Sequence, residues 1–296
     1  MGISGAARAA TLELVAAAIP TDITPTWPPE FESPLDARSI EAVARAVPER
    51  GGTDDFDRIA FWGAALCWLT ADAPTSEILK AAAAFNAGVA AFDSVVGRHS
   101  GSLSELTEAL APAELRRVVQ DPDERLGEVS DDHAPVVALF QVALSTFGAR
   151  WRRHSEQLSL GCDLLERMYR SELGLSSAPW SAKTLPTVFA GLLGTDDPIR
   201  IEFHRALGRF LADWDDWMDL DEDLVRLAPN RHLCLVGQPH LGGHVSRAIA
   251  MATSERARQR VRQRLRDDLA EVFAAADRAG SPVAERTSGF ACEMLS

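Results

Sequence analysis

With 296 residues, 46% of them apolar, the chain can bury one large core or two small ones. Its formal net charge of −13 excludes nucleic-acid binding through a basic face, and residues 213–223 supply seven of the negative charges, leaving −6 for the rest. Four cysteines, Cys67, Cys162, Cys234 and Cys292, match no zinc spacing and read as free thiols in a reducing compartment.

Apolar residues recur at helical spacing along most of the chain, no run alternates as a strand would, and Ala, Leu and Arg are abundant, so the expected class is all-α. A short helix over 6–18 leads into a stretch with five prolines at 20–34, which reads as an extended arm; residues 1–36 are thus set apart from a helical domain over 37–296. Glu13 stands where a signal peptide needs apolar residues, and Met-Gly without Ser or Thr at position 6 is no myristoylation signal, so a cytoplasmic protein is expected. Helical patterns follow at about 38–48, 55–72, 76–97, 103–111, 112–119, 133–149, 150–174, 180–194, 197–227 and 241–280. Expected caps are Thr53 or Asp54, Thr75, Asp131 or Asp132, and the Asp196-Asp197-Pro198 opening; Pro186 predicts a bend or a late helix start. Lys80, Asn86 and Asp93 interrupt the longest apolar run, so no membrane-spanning segment is expected. The last long helix, rich in Arg and Asp, reads as an amphipathic wrapper, followed from 281 onward by a loosely held tail.

The segment from Phe210 to Leu224 combines seven carboxylates with Trp214 and Trp217. At about 100° per residue, Asp215, Asp216, Asp219, Glu222 and Asp223 share an arc of roughly 120°, beside an apolar arc of Phe210, Trp214, Trp217 and Met218. Like charges three and four residues apart repel, which a cation would reverse. Oxygen-only ligands without Cys or His spacing favour a hard ion, Mg²⁺ above all. Asp215-Asp216-Trp217-Met218-Asp219 is a DDxxD arrangement, suited to metal ions that bridge the oxygens of a diphosphate leaving group. The seven histidines form no HExxH pair, so no zinc site is expected.

From Trp180 to Leu235 the chain resembles trans-prenyl diphosphate synthases and related class I isoprenoid enzymes. Lys183-Thr184 matches the Lys-Thr pair that precedes the second aspartate motif, Phe210 through Asp219 matches that motif, and Asp221 to Leu224 with Pro229-Asn230-Arg231 resembles its extended acidic form. The resemblance implies a helical bundle around a central cavity. It also implies Mg²⁺ held by Asp215, Asp216 and Asp219, diphosphate contacts from Lys183, Thr184 and Arg231, and a homodimer or a heteromer with another prenyl synthase. The first aspartate motif falls at Ala90 to Gly97, where only Asp93 remains, as a further metal ligand, with Ser94 and Gly97 at the other acidic positions. Asn86, seven residues earlier and on nearly the same face, is a candidate polar contact to substrate. The basic residues that hold a second diphosphate in chain-elongating enzymes have no counterpart: Thr53-Asp54-Asp55 follows Gly51-Gly52, and Arg98 stands alone after Gly97.

Mg²⁺-dependent ionisation of an allylic prenyl diphosphate, followed by cyclisation or deprotonation, is therefore the leading expectation. Transfer of the prenyl group to an acceptor without diphosphate, and a non-catalytic partner subunit, stand as alternatives. Phe61, Trp62, Trp68, Phe85, Phe92, Phe189, Trp214 and Trp217 are candidates to line the cavity through cation–π contact, with core packing the expected role of most.

Overall fold

The computed structural model describes residues 13–18, 20, 24, 26, 34–48, 52–96, 104–173, 184–219, 232 and 255–295, and among these the secondary structure is helical throughout, as the composition predicts. Residues 13–18 are helical, and the helices described over their full length are, in chain order, α1 (Ala37–Ala46), α2 (Thr53–Thr70), α3 (Ser76–Val96), α4 (Ser104–Ala109), α5 (Pro112–Gln120), α6 (Ala134–Trp151), α7 (Ser155–Glu172), α8 (Leu185–Gly194), α9 (Pro198–Met218), α10 (Glu255–Ala279) and α11 (Ser281–Leu295). The Cα packing divides the chain into two compact units. One comprises Pro28–Ser176 and Leu185–Ile201; the other comprises Met1–Trp27, Ser177–Thr184 and Glu202–Ser296.

The first unit is built on α3, which packs against α2, α6 and α8. Its alanines allow close approach: a Cβ at Gly63 of α2 would lie 2.6 Å from both Ala82 O and Asn86 Cβ, so only glycine fits this crossing. The aromatic side chains fill the interior between these helices. Phe85 stacks on Phe189 at 4.1 Å and meets Phe140 edge-on at 5.9 Å, Phe147 lies 4.9 Å from Phe189, and all four are fully buried. Each such ring contributes about 1.5–3 kcal/mol by burial alone. Phe85, Phe92 and Phe189 are thus core residues, the role expected for most of the aromatics. α3 is also, among the described residues, the one helix long and apolar enough to cross a membrane, yet 72% of that window is buried inside the protein. Its apolar surface is used by its helical neighbours.

Helix ends are closed by specific groups. Thr75 Oγ1 accepts from Ile78 N at 3.3 Å and Asp197 Oδ1 from Ile199 N at 2.8 Å, as the sequence predicts. Two expected caps differ. α2 starts from Gly52, at φ 84°, with Thr53 already inside the helix, and α6 starts after His133 rather than Asp131 or Asp132, neither with a side-chain cap. α8 begins at Leu185, which places Pro186 in the first turn, where its missing N–H costs nothing. At the other end of α8 the orphan carbonyls are taken up by α6: Trp151 Nε1 donates to Leu192 O at 2.8 Å and Arg150 Nη2 to Gly194 O at 3.0 Å. Asp36, missed in the sequence, caps α1 by accepting from Ser39 N at 3.0 Å, and that bond holds its carboxyl below the usual value.

The tail from 281 is not loosely held. Gly280, at φ 106°, turns the chain after α10, and α11 then buries Val283, Ala284, Thr287, Ser288, Phe290 and Ala291 along one face. The two hydroxyls on that face donate to the carbonyls four residues back, Thr287 to Val283 at 2.7 Å and Ser288 to Ala284 at 3.1 Å, so polar side chains enter the interior without loss of hydrogen bonds. Those two residues disguised an amphipathic pattern. Cys67 and Cys162 are buried and Cys292 is exposed, all as free thiols, and burial pushes the Cys67 thiol up to about 12; Cys234 lies outside the described residues.

Candidate functional site

The acidic motif begins on the last turn of α9, and its carboxylates are sorted by burial. Asp213 is 0% and Asp216 1% exposed, Trp217 is 1% exposed, Trp214 is half-buried, and Asp215 and Asp219 face outward. Helical geometry explains the sorting. Taking Asp213 as zero, at about 100° per residue Trp217 lies near 40°, Asp216 near 300°, Asp219 near 240° and Asp215 near 200°. Asp215, Asp216 and Asp219 therefore share an arc of about 100°, with Asp216 at its buried edge and Asp215 at its exposed edge. Asp219 N donates to Asp215 O at 2.9 Å, so the helical path continues through the motif. Phe210, 1% exposed, stacks on Trp214 at 6.1 Å and holds this stretch of α9 in place.

Burying Asp213 would be costly without a counter-charge. Its partner is Arg264 of α10, whose Nε lies 2.7 Å from Asp213 Oδ2; a second ion pair, Arg209 with Glu271 at 2.6 Å, joins the same two helices one turn away. His232 Nε2 donates to Asp213 O at 2.7 Å, and its ring meets Trp217 edge-on at 5.9 Å. Part of the cation demand predicted from the acidic segment is thus met by an arginine within the chain. Neither Asp213 nor Arg264 was singled out in the sequence. The available signal was charge: an arginine at every second position from Arg256 to Arg266, opposite in sign to the acidic run.

Thr184 is half-buried at the start of α8, and its backbone lies against Gly208 of α9; a Cβ at Gly208 would fall 2.9 Å from Thr184 O. Gly208 sits near 220° on the same wheel, between Asp215 and Asp219, and about 10 Å before Asp215 along the axis. Thr184 therefore lies over the α9 line that carries the two exposed aspartates. Lys183 and Arg231 themselves lie outside the described residues, as do Glu222 and Asp223.

Asp93 and Asn86 belong to the other unit. Asp93 is exposed near the end of α3, and Ser94 Oγ donates to Ala90 O at 2.8 Å, within its own helix. Asn86 Nδ2 donates to Ile59 O at 2.7 Å and so ties α3 to α2 beside Gly63, a structural use that the sequence did not suggest.

Among the described residues no three of His, Cys, Asp and Glu converge to enclose a metal ion. Mg²⁺ needs no such cage, because one or two carboxylates plus water and substrate phosphate commonly hold it. The oxygen-only donors Asp215 and Asp219, one turn apart and open to solvent, with Asp216 at their edge, fit that requirement. A groove of about 620 Å³ on the same unit is lined by Glu13, Leu14, Gln259, Arg262 and Arg266 and contains none of these aspartates. No family model matches the chain, and no curated protein or solved structure matches it.

Proposed function

We propose that this protein is a Mg²⁺-dependent class I isoprenoid enzyme that ionises an allylic prenyl diphosphate and lets the resulting cation cyclise or lose a proton. The observation that carries the reading is the approach of Thr184 to Gly208, on the helix line of Asp215 and Asp219. Thr184 and a pair of exposed carboxylates share one strip of one helix, and in this reading Lys183, the residue before Thr184, supplies the charge that meets the diphosphate. A cation-binding group and a phosphate-binding group on the same strip are what a metal–diphosphate pair requires.

In this reading Asp215 and Asp219 hold the cation, Asp216 supports them from the buried edge, and Lys183 and Arg231 face the diphosphate oxygens. Bound Mg²⁺ supplies charge neutralisation for the leaving group. When the C–O bond breaks, the electron pair leaves with diphosphate, and the chain's task is then to hold that anion and to exclude water from the allylic cation. Asp93 stands in this reading as the further ligand that the resemblance implies, with Ser94 in place of a second carboxylate beside it. The same single diphosphate site would also serve prenyl transfer to an uncharged acceptor.

Incubation with geranyl, farnesyl and geranylgeranyl diphosphates plus Mg²⁺, with assay of released diphosphate and of extracted products, tests the proposal. Terpene hydrocarbons or alcohols are the expected products. Release only when an acceptor is added would reassign the protein to prenyl transfer, and no release with any of the three would sink both readings.

A further inference from the structure

We propose that Arg264 is a positioning residue for the acidic motif, an internal counter-ion that keeps the Asp213 carboxylate out of the diphosphate's field and fixes which aspartates of α9 face outward. The inference rests on the reading of Asp215, Asp216 and Asp219 as the cation site. Asp213 precedes Asp216 by three residues and shares its buried face, so the two carboxylates repel at close range. Arg264 meets this repulsion with its Nε 2.7 Å from Asp213 Oδ2, while its own helix offers Asp268 Oδ2 3.9 Å from the same nitrogen. Carboxylates from two helices thus approach one guanidinium nitrogen.

The arrangement also sets the rotation of α9. A carboxylate that is 0% exposed and tied to α10 cannot swing outward without leaving its partner, and His232 holds the same residue by its carbonyl. With Asp213 fixed inward, Asp215 and Asp219 lie about 160° and 120° away around the helix, on the solvent side, and Asp216 about 60° away at the boundary. Arg209 with Glu271 repeats the attachment one turn earlier, which prevents α9 from pivoting about a single pair. Loss of Arg264 alone would add a bare carboxylate beside a site meant for an anion, whereas loss of both members of the pair would leave α9 attached through Arg209 and Glu271.

The test is calorimetric binding of inorganic pyrophosphate at saturating Mg²⁺ to the full chain and to Arg264→Gln, Asp213→Asn/Arg264→Gln and Asp215→Asn, with helicity and thermal midpoint recorded for each. Mg²⁺-dependent binding by the unaltered chain, weakened at least tenfold in Arg264→Gln and restored to within about threefold in the double variant, is the expected result. An arginine that serves stability alone would lower the thermal midpoint on substitution and leave the pyrophosphate affinity of the folded protein unchanged. If the unaltered chain binds pyrophosphate and Asp215→Asn abolishes this while Arg264→Gln does not change it, the cation site stands and the role of Arg264 is overturned. If the unaltered chain binds no pyrophosphate with Mg²⁺, the functional reading falls and this assignment with it. Should Arg264→Gln fail to fold, the double variant decides: near-native affinity supports the assignment, and a tenfold loss contradicts it.

Discussion

α3 and α9 are both 21 residues long and both carry aspartates of interest, yet they are held in place by opposite means. α3 is nearly all apolar, and its position is set by shape, through the Gly63 crossing and the ring stack of Phe85 on Phe189. α9 is amphipathic and charged, and its last turns are set by ion pairs to α10. On an apolar helix a carboxylate such as Asp93 belongs at the exposed end, in contact with water. On a charged helix a carboxylate such as Asp213 can go inside because a counter-charge meets it there.

The contrast predicts that α3 responds to volume and α9 to charge. The largest effect on stability is expected from Phe85→Ala, which removes the ring stacked on Phe189 and should cost about 3–5 kcal/mol in chemical denaturation. A loss below 1 kcal/mol would mean that the aromatic core is not what locates α3. Next comes Gly63→Ala, where one methyl group meets the Ala82 carbonyl and Asn86 Cβ; neither can yield, and a loss of about 1–3 kcal/mol is expected in the same measurement.

For α9 the corresponding probe is pH. His204 is completely buried, and desolvation pushes its pKa from 6.5 down to about 3. The folded protein therefore resists a proton that the unfolded chain accepts, so stability is full above pH 6.5 and falls by about 1.4 kcal/mol per pH unit between 6.5 and about 3. His204→Phe should flatten that part of the thermal-midpoint profile relative to the unaltered protein. Superimposable profiles for the two proteins would show that His204 is not a buried neutral imidazole.

Much of this was legible in the sequence, for reasons that differ along the chain. Helix class and most helix positions follow from the spacing of apolar residues, and Thr75 and Asp197 cap where their short side chains predict. α11 was hidden because Thr287 and Ser288 read as polar although their hydroxyls are satisfied inside the helix. The DDxxD motif was visible as charge density, but the split between buried Asp213 and Asp216 and exposed Asp215 and Asp219 depends on a partner some fifty residues away, Arg264, which no local pattern identifies. Asn86 was read by its position on the Asp93 face, whereas its amide is used at the α2–α3 crossing.

The most direct test of the central claim compares diphosphate release from prenyl diphosphates by the unaltered protein, by Asp215→Asn/Asp219→Asn and by Asp93→Asn, in Mg²⁺. If the chemistry leans on α9, the double variant should lose about a hundredfold or more in rate, at least 2.7 kcal/mol of transition-state stabilisation, while Asp93→Asn loses less than about tenfold. Equal losses, or release that persists in the double variant, would contradict the account.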